Sequence, residues 1–296
     1  YHTAVMVSEV LSGLNLHPDG VYVDLTFGGG THSRAICEKL RDGLLIAFDQ
    51  DADAAENVPE DERVLFIPQN FKYFRNYLKY LGYPQVDGIL ADLGVSSHHF
   101  DSPERGFSFR FKGPLDMRMN THAEKTAADI LNTYGERELE KLLAQYGEVR
   151  NARRLTEALL QYRKQQKFAE TTDLVEALEA QLPKNQVHKF LARVFQALRI
   201  EVNDEIAALQ RFLENAPAAL KTGGRLVVIT YHSLEDRLVK NFIKRGTFSG
   251  EAEKDFYGNV HVPFKAVVSK AITPSQEEVR NNNRARSAKL RIAERL

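Results

Sequence analysis

The residues best placed to do chemistry are acids and glycines at the ends of short apolar runs. Asp24-Leu-Thr-Phe-Gly-Gly-Gly-Thr-His-Ser33 follows one run, Asp49 ends a second, Phe71 follows a third and Asp92 ends a fourth. Glycines at 28, 29 and 30 let the backbone pass close to a ligand because no Cβ stands in the way. An acid after the second strand of an α/β sheet can accept from both hydroxyls of a ribose. Asp49 falls at that point, whereas Asp51, two residues on, suits the cap of the following helix. Phe71, in Asn70-Phe-Lys-Tyr-Phe74, offers a face for a base, or is an ordinary core aromatic.

The loop itself separates two classes of nucleoside ligand. A pyrophosphate-binding turn requires G-x-G-x-x-G, whereas Gly28-Gly-Gly-Thr-His-Ser33 carries Ser33 at the third glycine. A dinucleotide is therefore disfavoured. S-adenosylmethionine has no pyrophosphate and asks for a ribose acid, a stacking residue and polar contacts for its amino acid end. Asp49, Phe71 and the backbone of residues 30–32 could supply these.

These residues need a parallel sheet to bring them together. Residues 21–25, 44–48, 64–67, 86–91 and 225–230 read as strands, the last introduced by the turn Lys221-Thr-Gly-Gly224. Their apolar character suits a sheet covered on both faces, where ligands bind beyond the carboxyl ends at the point of strand-order reversal. About 130 residues separate the fourth and fifth strands, far more than one crossover needs. Apolar spacing of three and four predicts helices over 123–134, 136–146, 149–166, 172–182 and 188–213, with Thr171 or Thr172 as a cap. The expected organisation is a sheet domain from 1–102 and 196–296 with a helical domain inserted at 103–195. Residues 265–270 and 289–294 read as two closing strands, the last antiparallel.

Composition limits the function class. With 43% hydrophobic and 27% charged residues the chain is an ordinary globular protein, and no apolar stretch approaches a bilayer span. The first residues lack a basic segment followed by an apolar run, and a single cysteine rules out an intramolecular disulfide, so a cytoplasmic protein is expected. The net charge is zero, which moves any nucleic-acid argument to local patches. Arg150, Arg153, Arg154, Arg163, Lys164 and Lys167 form one, and Arg284, Arg286, Lys289 and Arg291 another. Either could contact phosphates or be a solvated face. Arg105-Gly-Phe-Ser-Phe-Arg-Phe-Lys112 alternates aromatic and basic residues, as a base-stacking segment or a core-facing strand would. His98 and His99 are adjacent, with neither a cysteine cluster nor H-x-x-x-H spacing to complete a metal site, so no metal is expected.

Longer blocks carry a resemblance. His2-Thr-Ala-Val, the 24–33 loop, Asp87-Gly-Ile-Leu-Ala-Asp-Leu-Gly-Val-Ser-Ser97 and Glu104-Arg-Gly-Phe-Ser-Phe109 are followed in order by Gly113-Pro-Leu-Asp-Met-Arg-Met119, Phe195-Gln-Ala-Leu-Arg-Ile200, His232-Ser-Leu-Glu-Asp-Arg237 and the segment 284–294. Nearly end to end, the sequence resembles the bacterial 16S rRNA cytosine-N4 methyltransferases. The resemblance implies an α/β class I, Rossmann-like methyltransferase with a seven-stranded, mostly parallel sheet and an inserted all-helical, substrate-recognising domain. It implies S-adenosyl-L-methionine as donor, S-adenosyl-L-homocysteine as product, and a decoding-centre cytidine of 16S rRNA in the small ribosomal subunit as target. The chain would act as a monomer or homodimer. Cofactor contacts would fall to Gly30, Thr31, His32, Asp49, Phe71, Asp92 and His99. Thr31 stands where the family usually has glycine, and His99 where it usually has glutamine.

The residues also narrow the chemistry. Methylating carbon 5 of a pyrimidine requires a cysteine thiolate to attack the ring, and Cys37, part-way down the first helix after the loop, reads as a small buried hydrophobe. An exocyclic nitrogen or oxygen remains as target. A cytosine amino group has its lone pair delocalised into the ring, so an acceptor for its hydrogens would help, and Asp92 is the candidate for that catalytic part as well as for a cofactor contact. Ser96, Ser97 and His232 are lesser substrate-side candidates. The rival readings are a nicotinamide or nucleotide-sugar enzyme on the same topology, and a non-catalytic RNA-binding ribosome assembly factor that retains a nucleoside site.

Overall fold

The computed structural model describes residues 4–252 and 262–296. His2 and Thr3 of the N-terminal block, and the side chains of Ser97 and His98, lie outside the described residues. The described chain divides into two compact units, Tyr1–Gly94 with Ile206–Leu296, and Val95–Glu205. The sequence pattern put the boundaries at 103 and 195. The compact unit extends further on both sides, with Val95 and Phe100 packed against the core of the helical unit and Leu198 buried in it.

Strands β1 (Val21–Asp24), β2 (Leu44–Phe48), β3 (Val64–Ile67), β4 (Val86–Asp92), β5 (Leu220–Thr230), β6 (Phe264–Ala266) and β7 (Lys289–Arg295) form one sheet in the order β3-β2-β1-β4-β5-β7-β6. The first five run parallel and β7 is antiparallel to both neighbours. Alternate residues feed opposite faces. Val23, Ile46, Ile89 and Val228 enter one core, and Tyr22, Leu45, Leu90 and Val227 the other. A period of two, buried on both sides, explains why these runs read as almost wholly apolar. The turn expected at 221–224 is instead a bulge within β5, where pairing with β4 jumps from Val86–Leu220 to Gly88–Arg225. The sixth strand stops at Ala266, shorter than expected, and the chain regains β7 only at an isolated Ile272–Leu290 bridge.

Helices α1 (Val7–Leu14), α2 (Thr31–Cys37) and α3 (Phe74–Tyr80) precede the insertion. The helical unit holds α4 (Ser97–Asp101), α5 (Ala127–Thr133), α6 (Glu136–Gln145), α7 (Ala152–Gln165), α8 (Thr171–Ala177) and α9 (Val187–Asn203). Then follow α10 (Glu205–Ala219), α11 (Ser233–Arg245) and α12 (Gln276–Asn281). In α6 and α7, Leu139, Leu142, Leu143, Leu155 and Leu159 recur at helical spacing and are buried together. Thr126 caps α5 in a reciprocal box with Asp129.

Three expectations change. The cap of α8 is Glu170 rather than Thr171 or Thr172, because Thr171 turns its hydroxyl to the Phe111 carbonyl at 2.7 Å and accepts from the Gly113 amide. The expected helix 188–213 breaks at Asp204, which takes a left-handed φ of 52°. Asn203 explains the break: its side chain binds the Met117 carbonyl and the Met119 amide, anchoring the end of α9 to a loop. That loop is also why the insertion is not helical throughout. Residues 106–126 are irregular, held by Arg105 on the carbonyls of Arg118 and Met119 and by Arg118 on Asp116.

Candidate active site

The 24–33 loop leaves β1 with its acid turned inward. Asp24 is fully buried, accepts the Ser33 hydroxyl at 2.7 Å and the Thr26 amide at 3.1 Å, and so binds the two ends of the loop. Burial raises its carboxyl above the ordinary range despite the Ser33 bond. Among the strand-end acids, Asp24 therefore serves the loop rather than a ligand. Gly28 and Gly30 have φ of 51° and 70°, where a side chain would be strained. A Cβ at Gly29 would meet nothing within 4 Å, so the loop borders open space. Thr31 opens α2 and is not among the residues with positive φ, so threonine fits where the related family usually has glycine.

Asp49 follows β2. Its carboxylate accepts the Gly28 amide at 2.7 Å and the Asp51 amide at 2.9 Å, which ties the glycine loop to the end of the second strand. Asp51 caps the turn that follows, accepting from the Asp53 amide, as its spacing predicts. Asn70 binds Gln50 at 2.6 Å and thereby joins the loops after β2 and β3. Phe71 begins the turn after Asn70, half-buried, with its edge against Phe212 at 6.1 Å. Core packing thus accounts for one side of its ring.

Asp92 ends β4, beside β1, where the strand order reverses. Its amide donates to the Thr26 hydroxyl at 2.7 Å, and its Oδ1 accepts the Tyr231 hydroxyl at 2.9 Å. The other oxygen faces His32 Nε2 at 3.4 Å, an ion-pair distance longer than a well-formed hydrogen bond. The side chain of Asp92 is 20% exposed and that of His32 is buried. Burial alone would lower the imidazolium pKa of His32, but Asp92, Asp24 and Glu278 outweigh it and hold the value above the ordinary one. His32 therefore presents its ring to Asp92 and leaves only its backbone to a ligand. Tyr231, which the sequence reading missed, lies immediately after β5, the strand next to β4. A tyrosine just past the end of a neighbouring strand is the one signal that could have found it.

The remaining candidates have surroundings of their own. His99 belongs to the helical unit, where its ring lies 4.7 Å from Phe107 and Nδ1 is 3.1 Å from the Ser96 hydroxyl. His232 caps α11, with Nε2 3.0 Å from Glu235 but poorly aligned for a hydrogen bond. In 105–112, Arg105 and Phe107 are buried, Phe109 packs on Phe195 and His188, and Lys112 pairs with Glu170, so the segment is mainly structural. Phe111 is 44% exposed. Of the first basic patch, Arg163 turns in to the carbonyls of Leu131 and Tyr134 and Arg153 pairs with Glu157, while Arg150, Arg154, Lys164 and Lys167 are exposed. Of the second, Lys289 and Arg291 both bind Asp236, at 3.2 and 2.7 Å. An open cleft of roughly 470 Å³ in the helical unit is lined by Arg150, Lys189, Arg193 and Phe190, with Glu148 as its acid.

A parallel sheet of this order, an antiparallel seventh strand beside the fifth, and acids and a glycine loop at the carboxyl ends define a class I, Rossmann-like methyltransferase fold. The chain belongs to the MraW methylase family, whose description matches residues 1–296. It is 55% identical over 298 residues to the ribosomal RNA small subunit methyltransferase H of Parabacteroides distasonis, covering 100% of this chain and 98% of that one. It is 54% identical over 297 residues to the protein of the same name from Cytophaga hutchinsonii, covering 100% and 99%. Among the described residues, no helix is long and apolar enough to cross a membrane.

Proposed function

We propose that this protein transfers the methyl group of S-adenosylmethionine to the exocyclic N4 of a decoding-centre cytidine in 16S rRNA of the small ribosomal subunit. The observation that carries the reading is Asp92, an oriented and partly exposed carboxylate at the sheet's switch point. The family and the names of the relatives support rRNA of the small subunit as the substrate class. Bound S-adenosylmethionine supplies an electrophilic methyl on a sulfonium. The cradle fits such a donor: the glycine loop borders open space, and Asp49 stands beside it at the end of β2, where an acid can accept from ribose hydroxyls. Phe71 would face the adenine, and the backbone of Gly30, Thr31 and His32 the amino acid end.

On the acceptor side, Asp92 would take a hydrogen bond from the N4 amino group and draw its lone pair out of conjugation. The amine nitrogen would take the methyl group as its bond to sulfur breaks, and the methylated amine would then pass one proton to solvent water. Alignment of nitrogen, methyl and sulfur can contribute roughly 7 to 11 kcal/mol, so no strong base is required. Carbon methylation through a thiolate is disfavoured on this chain. Cys37 is its one cysteine, buried in α2, and burial, aided by Asp61, pushes its thiol up to about 11.

The helical unit would hold the RNA. Its cleft joins three cations to a half-buried aromatic, a pairing suited to phosphates and a splayed base. On this reading the enzyme would work in the cytoplasm, where the small ribosomal subunit is found. The deciding experiment is mass mapping of the methylated nucleotide after incubation of small subunits or free rRNA with protein and labelled donor. N4-methylcytidine at a decoding-centre position is expected, and a product without it would overturn the reading, as would an assembly factor's complete lack of transfer.

A further inference from the structure

We infer that Tyr231 is a positioning residue that holds the Asp92 carboxylate in its working orientation. The inference rests on the proposed part of Asp92 in accepting from the substrate amine. Tyr231 is fixed at both ends. Its amide donates to Glu235 Oε2 at 2.9 Å, and its hydroxyl reaches Asp92 Oδ1 at 2.9 Å, across 139 positions of sequence. Its ring packs on Gly94, where φ is +105° and an added Cβ would come within 3.3 Å of the ring. Glycine is therefore needed at 94 both for its backbone and for the room it gives the tyrosine.

The contacts of Asp92 show what the tyrosine prevents. Thr26 holds its backbone amide, so the carboxylate can still turn about its side-chain bonds. On one side stands Tyr231, and on the other His32, 3.4 Å away, with Nδ1 buried and without a hydrogen-bond partner among the described residues. A buried imidazole N–H attracts a carboxylate, and a shorter contact would close into a hydrogen-bonded pair. On this inference the pair stays open because Tyr231 already binds the opposite oxygen. Burial and Asp92 itself push the Tyr231 phenol well above its ordinary value, so the hydroxyl keeps its proton and can only donate here. Without that donation Asp92 is expected to collapse onto His32 and turn its acceptor sites away from an incoming amine.

The test is a double-mutant cycle in single-turnover methyl transfer, with donor and RNA saturating and donor affinity measured by calorimetry. Tyr231→Phe should slow transfer by about ten- to a hundredfold, the range for a hydrogen bond to a charged group, while S-adenosylhomocysteine affinity stays within about twofold. In an Asp92→Asn background the same change should have almost no further effect, since the tyrosine acts through the acid. An unaltered rate, or equal losses in both backgrounds, overturns the inference. Tyr22→Phe controls for loss of a buried tyrosine hydroxyl, because the Tyr22 hydroxyl accepts from the His17 amide in the core, and it should lower Tm without changing the rate. If the wild-type product proves to be another methylated nucleotide, the substrate reading falls while the same cycle on that product still decides Tyr231.

Discussion

The strand-end site and the basic face of the helical unit treat charge in opposite ways. At the strand ends every acid is held: Asp24 by Ser33 and Thr26, Asp49 by two amides, Asp92 by Tyr231 and His32. In the helical unit Arg150, Arg154, Lys189 and Arg193 stand exposed around or beside a cleft. The difference follows from the tasks proposed for them. Aligning three atoms for methyl transfer needs fixed geometry, whereas a polyanion is gathered by charge that tolerates many geometries. The second basic run, 284–291, looks the same in sequence yet belongs with the first pattern, because Lys289 and Arg291 are committed to Asp236.

The sharpest way to break this contrast is Asp92→Ala. Transfer at saturating donor should fall by about 10²- to 10³-fold, as when one transition-state hydrogen-bond partner is removed, with donor affinity measured separately. Unchanged transfer would remove Asp92 from the chemistry. Next in size is Arg291→Ala, which strips one of two cations from the part-buried Asp236 and should cost about 2 kcal/mol in denaturant unfolding. The pH dependence follows from the same pair. Burial pushes the Asp236 carboxyl up, but Arg291 and Lys289 outweigh it and hold it below the ordinary value. A carboxyl depressed in the folded state contributes stability that is present above its unfolded pKa and lost as pH falls through the folded one. The wild type should therefore lose stability on acidification below about pH 4, and Arg291→Ala should show a flatter acid limb. If that limb is unchanged, the pair is not what holds α11 to β7.

Asp49→Ala should weaken donor binding by about ten- to a hundredfold in calorimetry while transfer at saturation changes little. A loss confined to the saturated rate would instead place Asp49 in the chemistry. The smallest effect belongs to the cations. Lys189→Ala with Arg193→Ala should weaken RNA binding severalfold and reduce the log–log salt slope by about 1 to 2, whereas Lys289→Ala should leave the slope unaltered. Equal slopes in all three proteins would erase the distinction between the two basic runs.

What the sequence made legible was local. The five parallel strands announce themselves by apolar runs, and Asp51 by its distance from the strand end, which lets it cap the turn instead of joining Asp49. What it hid was pairing across the chain. Asp236 lies 53 and 55 positions from Lys289 and Arg291, so a run that reads as purely basic is partly neutralised from another element. Tyr231 meets Asp92 only because β5 lies beside β4 after an insertion of more than 100 residues. The break at Asp204 was equally hidden, since apolar spacing continues through it and the cause is Asn203 reaching back to Met117 and Met119.

Cys37 gives the molecule a practical property. A buried thiol at about 11 is ionised in about one molecule in 10⁴ at neutral pH, so it is nearly silent towards maleimides and nitroxide reagents. Cysteines introduced at exposed positions such as Tyr80 and Lys164 would then accept a spectroscopic label selectively, one in each unit. The native protein is thus a ready background for measuring, by label-to-label distance, how the two units respond when donor and RNA bind.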